Sequence, residues 1–149
     1  MSKTKTHLIA ISMSGFFLCL DQILKYIAHN NQTATAYIIK PWLGWEYLAN
    51  TGIAFGLPIP NIFLIATTPV ILLILFILFA RKKQKNITYI IAVTLIMEGA
   101  VSNFIDRVLF EITIDYFRVA TSVFNIADIM IVFGAGILLL KEMQIKQKK

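Results

Sequence analysis

The sequence predicts a membrane protein of the all-α class, with four transmembrane helices and a small extracytoplasmic part that contains β-structure. Three observations predict this fold class. Of the 149 residues, 58% are hydrophobic and 15% are charged, whereas soluble domains average about 45–50% and about 25%. Four apolar segments are long enough to cross about 30 Å of hydrocarbon. Most basic residues fall on one side of those segments, and the length suits one domain over residues 1–149.

The first two predicted spans cover residues 8–28 and 62–80. The second is uncharged, and Pro69 predicts a bend within it. The first contains Asp21 and Lys25, whose i, i+4 spacing lets them pair on one helix face. Because these charges interrupt the apolar run, we expect an uncleaved helix and not a signal peptide.

The third and fourth predicted spans cover residues 87–106 and 119–140. Both are apolar with isolated polar residues. The third ends on Asn103, and the fourth carries Asn125 and Asp128 at i, i+3, on one helix face.

The positive charges predict the orientation, because short loops rich in Lys and Arg stay cytoplasmic. Ten of the 14 basic residues lie on one side of a four-span chain. Both termini are therefore expected in the cytoplasm, with residues 29–61 and 107–118 outside. This distribution also accounts for the net charge of +6 without a nucleic-acid partner. The ten residues are Lys3, Lys5, Arg81, Lys82, Lys83, Lys85, Lys141, Lys146, Lys148 and Lys149.

The longer outer segment is rich in aromatic residues, including Tyr37, Trp42, Trp45 and Tyr47. Such residues commonly lie at the lipid headgroup level. We expect a partly strand-like segment that lies against the membrane, although its imperfect alternation does not place the strand ends.

The intramembrane polar residues are predicted to gather toward the outer side. A rise of about 1.5 Å per residue puts Asp21 about 20 Å from the cytoplasmic edge and Asp128 about 14 Å below the outer edge. Asn103 and Asp106 close the ascending third helix. Ionisable groups inside a bilayer usually face a bundle interior or a watery cavity.

Asp128 has a second carboxylate, Asp115, within reach on the short outer segment. Two aspartates held close share one proton, so that one acts as a base on water and the other as an acid on a carbonyl oxygen. This is the chemistry of an aspartic peptidase. Asp106 and Asp21 are competing partners for Asp128 on the residue chemistry alone.

Two other interpretations remain open on the residues. Asp21, Lys25 and Glu98 could tie helices together by hydrogen bonds. A small proton-coupled transporter subunit could use Asp21, Glu98 and Asp128 as a relay, although only Glu98 approaches mid-membrane.

The sequence offers little for other chemistries. Cys19 is the only cysteine, so no intrachain disulfide or cysteine metal cluster is expected. Motifs of serine hydrolases, zinc peptidases and phosphate-binding loops are missing from the sequence. We expect neither a metal nor a cofactor.

Five ordered blocks resemble the lipoprotein signal peptidases, or type II signal peptidases, which are bacterial membrane aspartic endopeptidases. The resemblance covers nearly the whole chain. Each block is weak alone, but their joint order with four spans is specific. The blocks are Asp21-Gln22-Ile23-Leu24-Lys25, Asn50-Thr51-Gly52-Ile53-Ala54-Phe55, Gly99 through Asn103 with Asp106-Arg107, Ile114-Asp115-Tyr116-Phe117, and Phe124-Asn125-Ile126-Ala127-Asp128.

The resemblance implies that Asp115 and Asp128 are the catalytic pair. It also implies cleavage of a prolipoprotein just before a diacylglyceryl-modified cysteine, in contact with membrane lipid. It further implies the bacterial cytoplasmic membrane, a site toward the outer side, and a single chain acting as a monomer. Seven further positions match the family as supporting or substrate-binding residues: Asn103, Arg107, Asn125, Asn50, Gly52, Asp21 and Lys25.

The chain departs from the family pattern before Asn103, where a glycine-rich run is common. Here Ser102 is a mild change because it is still small, whereas Glu98 is unusual and could pair with Lys25 or be neutral. Only 12 residues separate Asp115 from Asp128, so a short outer loop is expected over the site.

Overall fold

A computed structural model of the chain describes residues 3–52, 59–82 and 86–147. The described residues form four helices and one four-stranded antiparallel sheet. The elements are α1 (Lys3–Asn30), β1 (Thr35–Ile39), β2 (Leu43–Asn50), α2 (Asn61–Arg81), α3 (Ile87–Phe110), β3 (Thr113–Val119), β4 (Ser122–Phe124) and α4 (Ile126–Lys146). The motif residues 53–55 and the lysines at 83, 85, 148 and 149 lie outside the described residues.

Three of the helices are long and apolar enough to cross a membrane, and they match the first three predicted spans. These stretches are His7–Asn30, Asn61–Arg81 and Ile87–Phe110. None of the described residues of α2 is buried, and Pro69 lies inside it. α3 is the central helix, since it packs against each of the other three. The exposed apolar surface of α2 is what a lipid-facing helix presents.

The fourth predicted span was wrong at its start. Residues 119–125 are not helical: β4 pairs with β3, and α4 begins only at Ile126. Asn125 lies between the strand and the helix, and it caps the helix because its Oδ1 accepts a hydrogen bond of 2.8 Å from the Asp128 backbone N–H. A short apolar strand and an apolar helical turn look alike in hydropathy. The segment predicted at 107–118 is likewise shifted along the chain, because α3 continues to Phe110 and α4 begins at Ile126.

The sheet has the order β1-β2-β3-β4, with two strands between α1 and α2 and two between α3 and α4. This confirms the expectation of strand structure in residues 29–61. Trp45 on β2 lies with its ring 5.1 Å from that of Tyr116 on β3, over a core that includes Ala28 and Ile114. The sheet therefore packs on the C-terminal end of α1 and holds β3 close to the helices.

Helices α3 and α4 approach closely at two glycines. A Cβ on Gly99 would lie 2.7 Å from the backbone oxygen of Ala127, and one on Gly134 would lie 2.6 Å from that of Ala92. Small residues permit such close approach between membrane helices. Gly99 thus brings the first turn of α4 against α3.

Candidate active site

Two cavities meet at Asp115, where the sheet faces α2, α3 and α4. One, of about 290 Å³, is lined by helix residues together with Asn50, Asn103, Arg107, Asp115 and Asp128. The other, of about 400 Å³, lies against the sheet and is lined by residues that include Asn50, Gly52 and Asp115. The structure thus brings six residues predicted from the sequence to one cleft, from four different elements and the segment after β2.

Asp115 lies on β3 and is 1% exposed. Its two carboxylate oxygens accept hydrogen bonds from different asparagines: Oδ1 from Asn125 Nδ2 at 2.7 Å, and Oδ2 from Asn50 Nδ2 at 3.0 Å. Burial and then the charge of Asp128 raise the pKa of Asp115 to about 7, against a lowering effect of these amides and of Lys25. Asp115 is therefore able to hold a proton near neutral pH.

Asp128 lies in the first turn of α4. Its Oδ1 accepts a hydrogen bond of 2.8 Å from Asn103 Nδ2 on α3. Asn125 acts on both aspartates, because its amide nitrogen donates to Asp115 while its oxygen accepts from the backbone of Asp128. The predicted i, i+3 neighbours Asn125 and Asp128 are thus in contact.

Arg107 lies on the cavity wall, near the end of α3. Its Nη2 is 3.4 Å from the backbone oxygen of Gly52, and the backbone N–H of Gly52 donates to Asn50 Oδ1 at 2.9 Å. Arg107 therefore supports the segment that carries Asn50, which in turn holds Asp115.

Asp21 and Lys25 form the ion pair expected from their spacing, with 2.8 Å between Lys25 Nζ and Asp21 Oδ2. Lys25 Nζ also lies 2.8 Å from Asp106 Oδ2. Asp21 and Asp106, the two competing partners for Asp128, are thus both engaged with Lys25. That leaves Asp115 as the carboxylate that shares the cavity with Asp128.

Tyr116 and Gln22 belong to this cluster, and the sequence reasoning did not assign them a role. The Tyr116 hydroxyl donates to Asp21 Oδ1 at 2.8 Å, and Gln22 Nε2 donates to Asp106 Oδ1 at 3.1 Å. Burial, followed by the charge of Asp21, raises the pKa of Tyr116. The available signal was adjacency, because Tyr116 follows Asp115 and Gln22 follows Asp21 within the family blocks.

Of the two alternatives for Glu98, pairing with Lys25 or neutrality, the structure does not form the first, because Lys25 pairs with Asp21 and Asp106. Glu98 lies against α1 near Gly15, where a Cβ would be 3.4 Å from Glu98 Oε2. That oxygen is buried and accepts no hydrogen bond from the part of the chain that the structure describes. Lys25 is already surrounded by acceptors one and two turns farther along α3.

Across residues 3–52, 59–82 and 86–147, no three His, Cys, Asp or Glu side chains are grouped so that they could hold a metal ion.

Comparison with known proteins gives a consistent result. The family described as "Signal peptidase (SPase) II" matches residues 13–144. The lipoprotein signal peptidase of Chlorobium phaeobacteroides strain BS1 is 34% identical, over 86% of this chain and 95% of its own. That of Serratia marcescens is 35% identical, over 84% and 79%. A solved bacterial membrane enzyme, determined in meso at 2.3 Å, superposes with a TM-score of 0.87 at 28% identity, over 95% of this chain and 91% of its own.

Proposed function

The chain belongs to the signal peptidase II family, and from that premise we propose that Asp115 and Asp128 are the catalytic pair with which it cleaves prolipoproteins. Membership makes the protein a peptidase that removes signal peptides from prolipoproteins. The transporter alternative is not supported. The single observation that carries the assignment of the pair is that both aspartates line one cavity.

The proposed reaction begins with one proton shared by the two carboxyl groups. The ionised carboxylate takes a proton from a water molecule, whose oxygen bonds to the carbonyl carbon, while the protonated carboxyl gives its proton to the carbonyl oxygen. The tetrahedral intermediate then breaks its C–N bond as the carboxyl that took the proton from water gives it to the leaving nitrogen, and a hydroxyl proton of the intermediate returns to the other carboxylate. The products are a signal peptide with a carboxyl end and a lipoprotein with a free amino end.

Three asparagines support this pair in the proposal. Asn50 and Asn125 hold Asp115, while Asn103 holds Asp128. Arg107 and Gly52 keep Asn50 in place. The scissile bond is proposed to precede a diacylglyceryl-modified cysteine, whose acyl chains would remain in the surrounding lipid.

We extend the proposal to the membrane arrangement, with four spans, both termini cytoplasmic and the site on the outer side of the bacterial cytoplasmic membrane. α4 would be the fourth span, as its exposed apolar side chains include Ile129, Val132 and Phe133. It carries Asp128 near one end and Lys141 and Glu142 near the other. A single domain acting as a monomer, in contact with lipid, is proposed to suffice.

The test compares Asp115→Asn and Asp128→Asn with the unmodified protein in detergent, using a diacylglyceryl-modified prolipoprotein. Each variant is expected to lose at least about 10³-fold in kcat, since an amide cannot exchange the proton that the pair shares. Glu98→Gln is the matched control, since it makes the same carboxyl-to-amide change at a residue of α3 that does not line the cavity. Normal processing by either aspartate variant would overturn the assignment.

A further inference from the structure

Lys25 lies at the centre of a buried ionic cluster that the proposed reaction does not use. Lys25, Asp21 and Asp106 are each 1% exposed or less, so one cation faces two carboxylates away from water. Burying charges is costly, and well-packed apolar residues are often at least as stabilising as a buried ion pair. The fold alone therefore gives no clear reason for this cluster, and its outward contacts point to a role in the site.

Each carboxylate of the cluster holds the backbone of one element that carries a catalytic aspartate. Asp21 Oδ1 accepts a hydrogen bond of 2.8 Å from the backbone N–H of Ile126, at the start of the helix that carries Asp128. Asp106 Oδ2 accepts one of 3.1 Å from the backbone N–H of Ile114, which precedes Asp115. Because Lys25 joins both carboxylates, it links the two catalytic elements through one ammonium group.

A third contact runs from Lys25 directly to an asparagine of the site. Lys25 Nζ donates to Asn103 Oδ1 at 2.8 Å, and Asn125 Nδ2 donates to the same oxygen at 3.1 Å. An oxygen that receives two donors cannot exchange places with the amide nitrogen, because N–H groups would then face an ammonium. Asn103 Nδ2 is thereby aimed at Asp128 Oδ1.

We propose that Lys25 is a positioning residue for the catalytic pair: it orients the Asn103 amide toward Asp128 and fixes the separation of β3 and α4 through Asp106 and Asp21. The proposal rests on Asp115 and Asp128 being that pair. Lys25 itself does not touch the substrate, and its effect reaches the reacting atoms through one asparagine and two backbone anchors.

The charge of Lys25 supplies a second readout. Three helices direct charged groups at Asp115: Lys25 from α1, Arg107 from α3 and Asp128 from α4. Lys25 lowers the pKa of Asp115. Loss of the ammonium should therefore raise that pKa and move the alkaline limb of the pH profile upward, which a purely structural role would not do.

The test uses the double variant Lys25→Met/Asp106→Asn. It removes one positive and one negative charge together, and the new amide oxygen still accepts from the Ile114 N–H. We expect cooperative unfolding, KM within about twofold of the unmodified protein, and a kcat about 100-fold lower, the loss that about 1 Å of misplacement causes. Asp106→Asn alone keeps the hydrogen bond from Lys25 to Asn103, so its kcat should fall far less. Equal kcat losses in Asp106→Asn and in the double variant, or an alkaline limb at the same pH in both, would overturn the proposal.

Lys25→Gln/Asp106→Asn separates orientation from charge, and it decides the question if the methionine variant does not fold. The glutamine amide offers a neutral donor toward Asn103, so kcat should recover in part. The alkaline limb should stay displaced, because the charge is missing. A glutamine variant with both the kcat and the pH limb of the unmodified protein would refute the role of Lys25.

Asp128→Asn in the same series separates this inference from the proposed function. Activity of Asp128→Asn would show that the catalytic pair is wrongly assigned. If Asp128→Asn is inactive and Lys25→Met/Asp106→Asn is fully active, the assignment of the catalytic pair is kept and only the proposed role of Lys25 is refuted.

Discussion

In the proposed mechanism the proton held by Asp115 makes the activity depend on pH, in a direction that follows from its raised pKa. The pKa of this carboxyl is raised to about 7, mainly by burial and next by the charge of Asp128. A folded-state pKa above the usual value means that the proton is present at low pH and is lost as pH rises through about 7. About half of the molecules keep it at pH 7 and about a tenth at pH 8, so kcat/KM should fall about tenfold for each further unit.

Asn50 provides the perturbation that tests this cause. Its amide donates to Asp115 Oδ2 and lowers the pKa of that carboxyl. A hydrogen bond to a charged group contributes about 1.5–3 kcal/mol, and one pKa unit corresponds to about 1.4 kcal/mol. Asn50→Leu should therefore move the alkaline limb upward by about one unit, while also lowering the maximal rate because Asp115 is less well held.

The measurement is kcat/KM for diacylglyceryl-modified prolipoprotein between pH 5.5 and about 9.5. Asn30→Leu is the matched control, because Asn30 is exposed and donates only to its own helix, at Tyr26 O. Asn30→Leu should leave the pH of the alkaline limb unchanged. A flat profile across neutral pH, or a limb that Asn50→Leu moves downward, would refute the reasoning.

Two further predictions concern packing and metals. Gly99→Ala should lower the free energy of unfolding by about 1–3 kcal/mol and reduce kcat, because the new Cβ would meet the Ala127 oxygen beside Asp128. Gly136→Ala is the control, because a Cβ there would have no atom of another described part of the chain within 4 Å. It should leave kcat unchanged and the free energy of unfolding unchanged or slightly higher. Thermal unfolding compares the two variants, and equal effects would contradict the packing argument. Cleavage should survive an excess of a metal chelator, since carboxylates and water supply the proposed chemistry, and chelator-sensitive cleavage would point to a metal-dependent reaction.

Hydropathy and local spacing predicted a large part of this fold. Long apolar runs predicted three helices that the structure contains, and the i, i+4 spacing predicted the pair of Asp21 and Lys25. The start of α4 was missed, because a single polar residue, Asn125, separates the apolar residues of β4 from the apolar start of the helix. Hydropathy does not distinguish a short strand from a helical turn, and only the pairing of β4 with β3 decides it.

The candidate site was predictable in its residues and not in its connections. The family blocks identified Asp115, Asp128 and three asparagines, and the cleft brings all five together. The second partner of Lys25 was not predictable, because Asp106 lies far along the chain and meets it only through the packing of α1 against α3. Glu98 was one candidate partner for Lys25, because the sequence does not show how α1 packs against α3. In the structure Glu98 lies near Gly15.

The choice of asparagines around the aspartates follows from the proposed chemistry. Lys25 contacts Asp21 and Asp106 directly, and reaches Asp128 only through the neutral amide of Asn103. An ammonium bonded directly to a catalytic carboxyl would hold it ionised and prevent it from carrying the shared proton. An amide donor fixes the direction of a carboxyl with a much weaker preference for its charged form. The arrangement thus transmits position from the ionic cluster to the pair while leaving the pair free to gain and lose a proton.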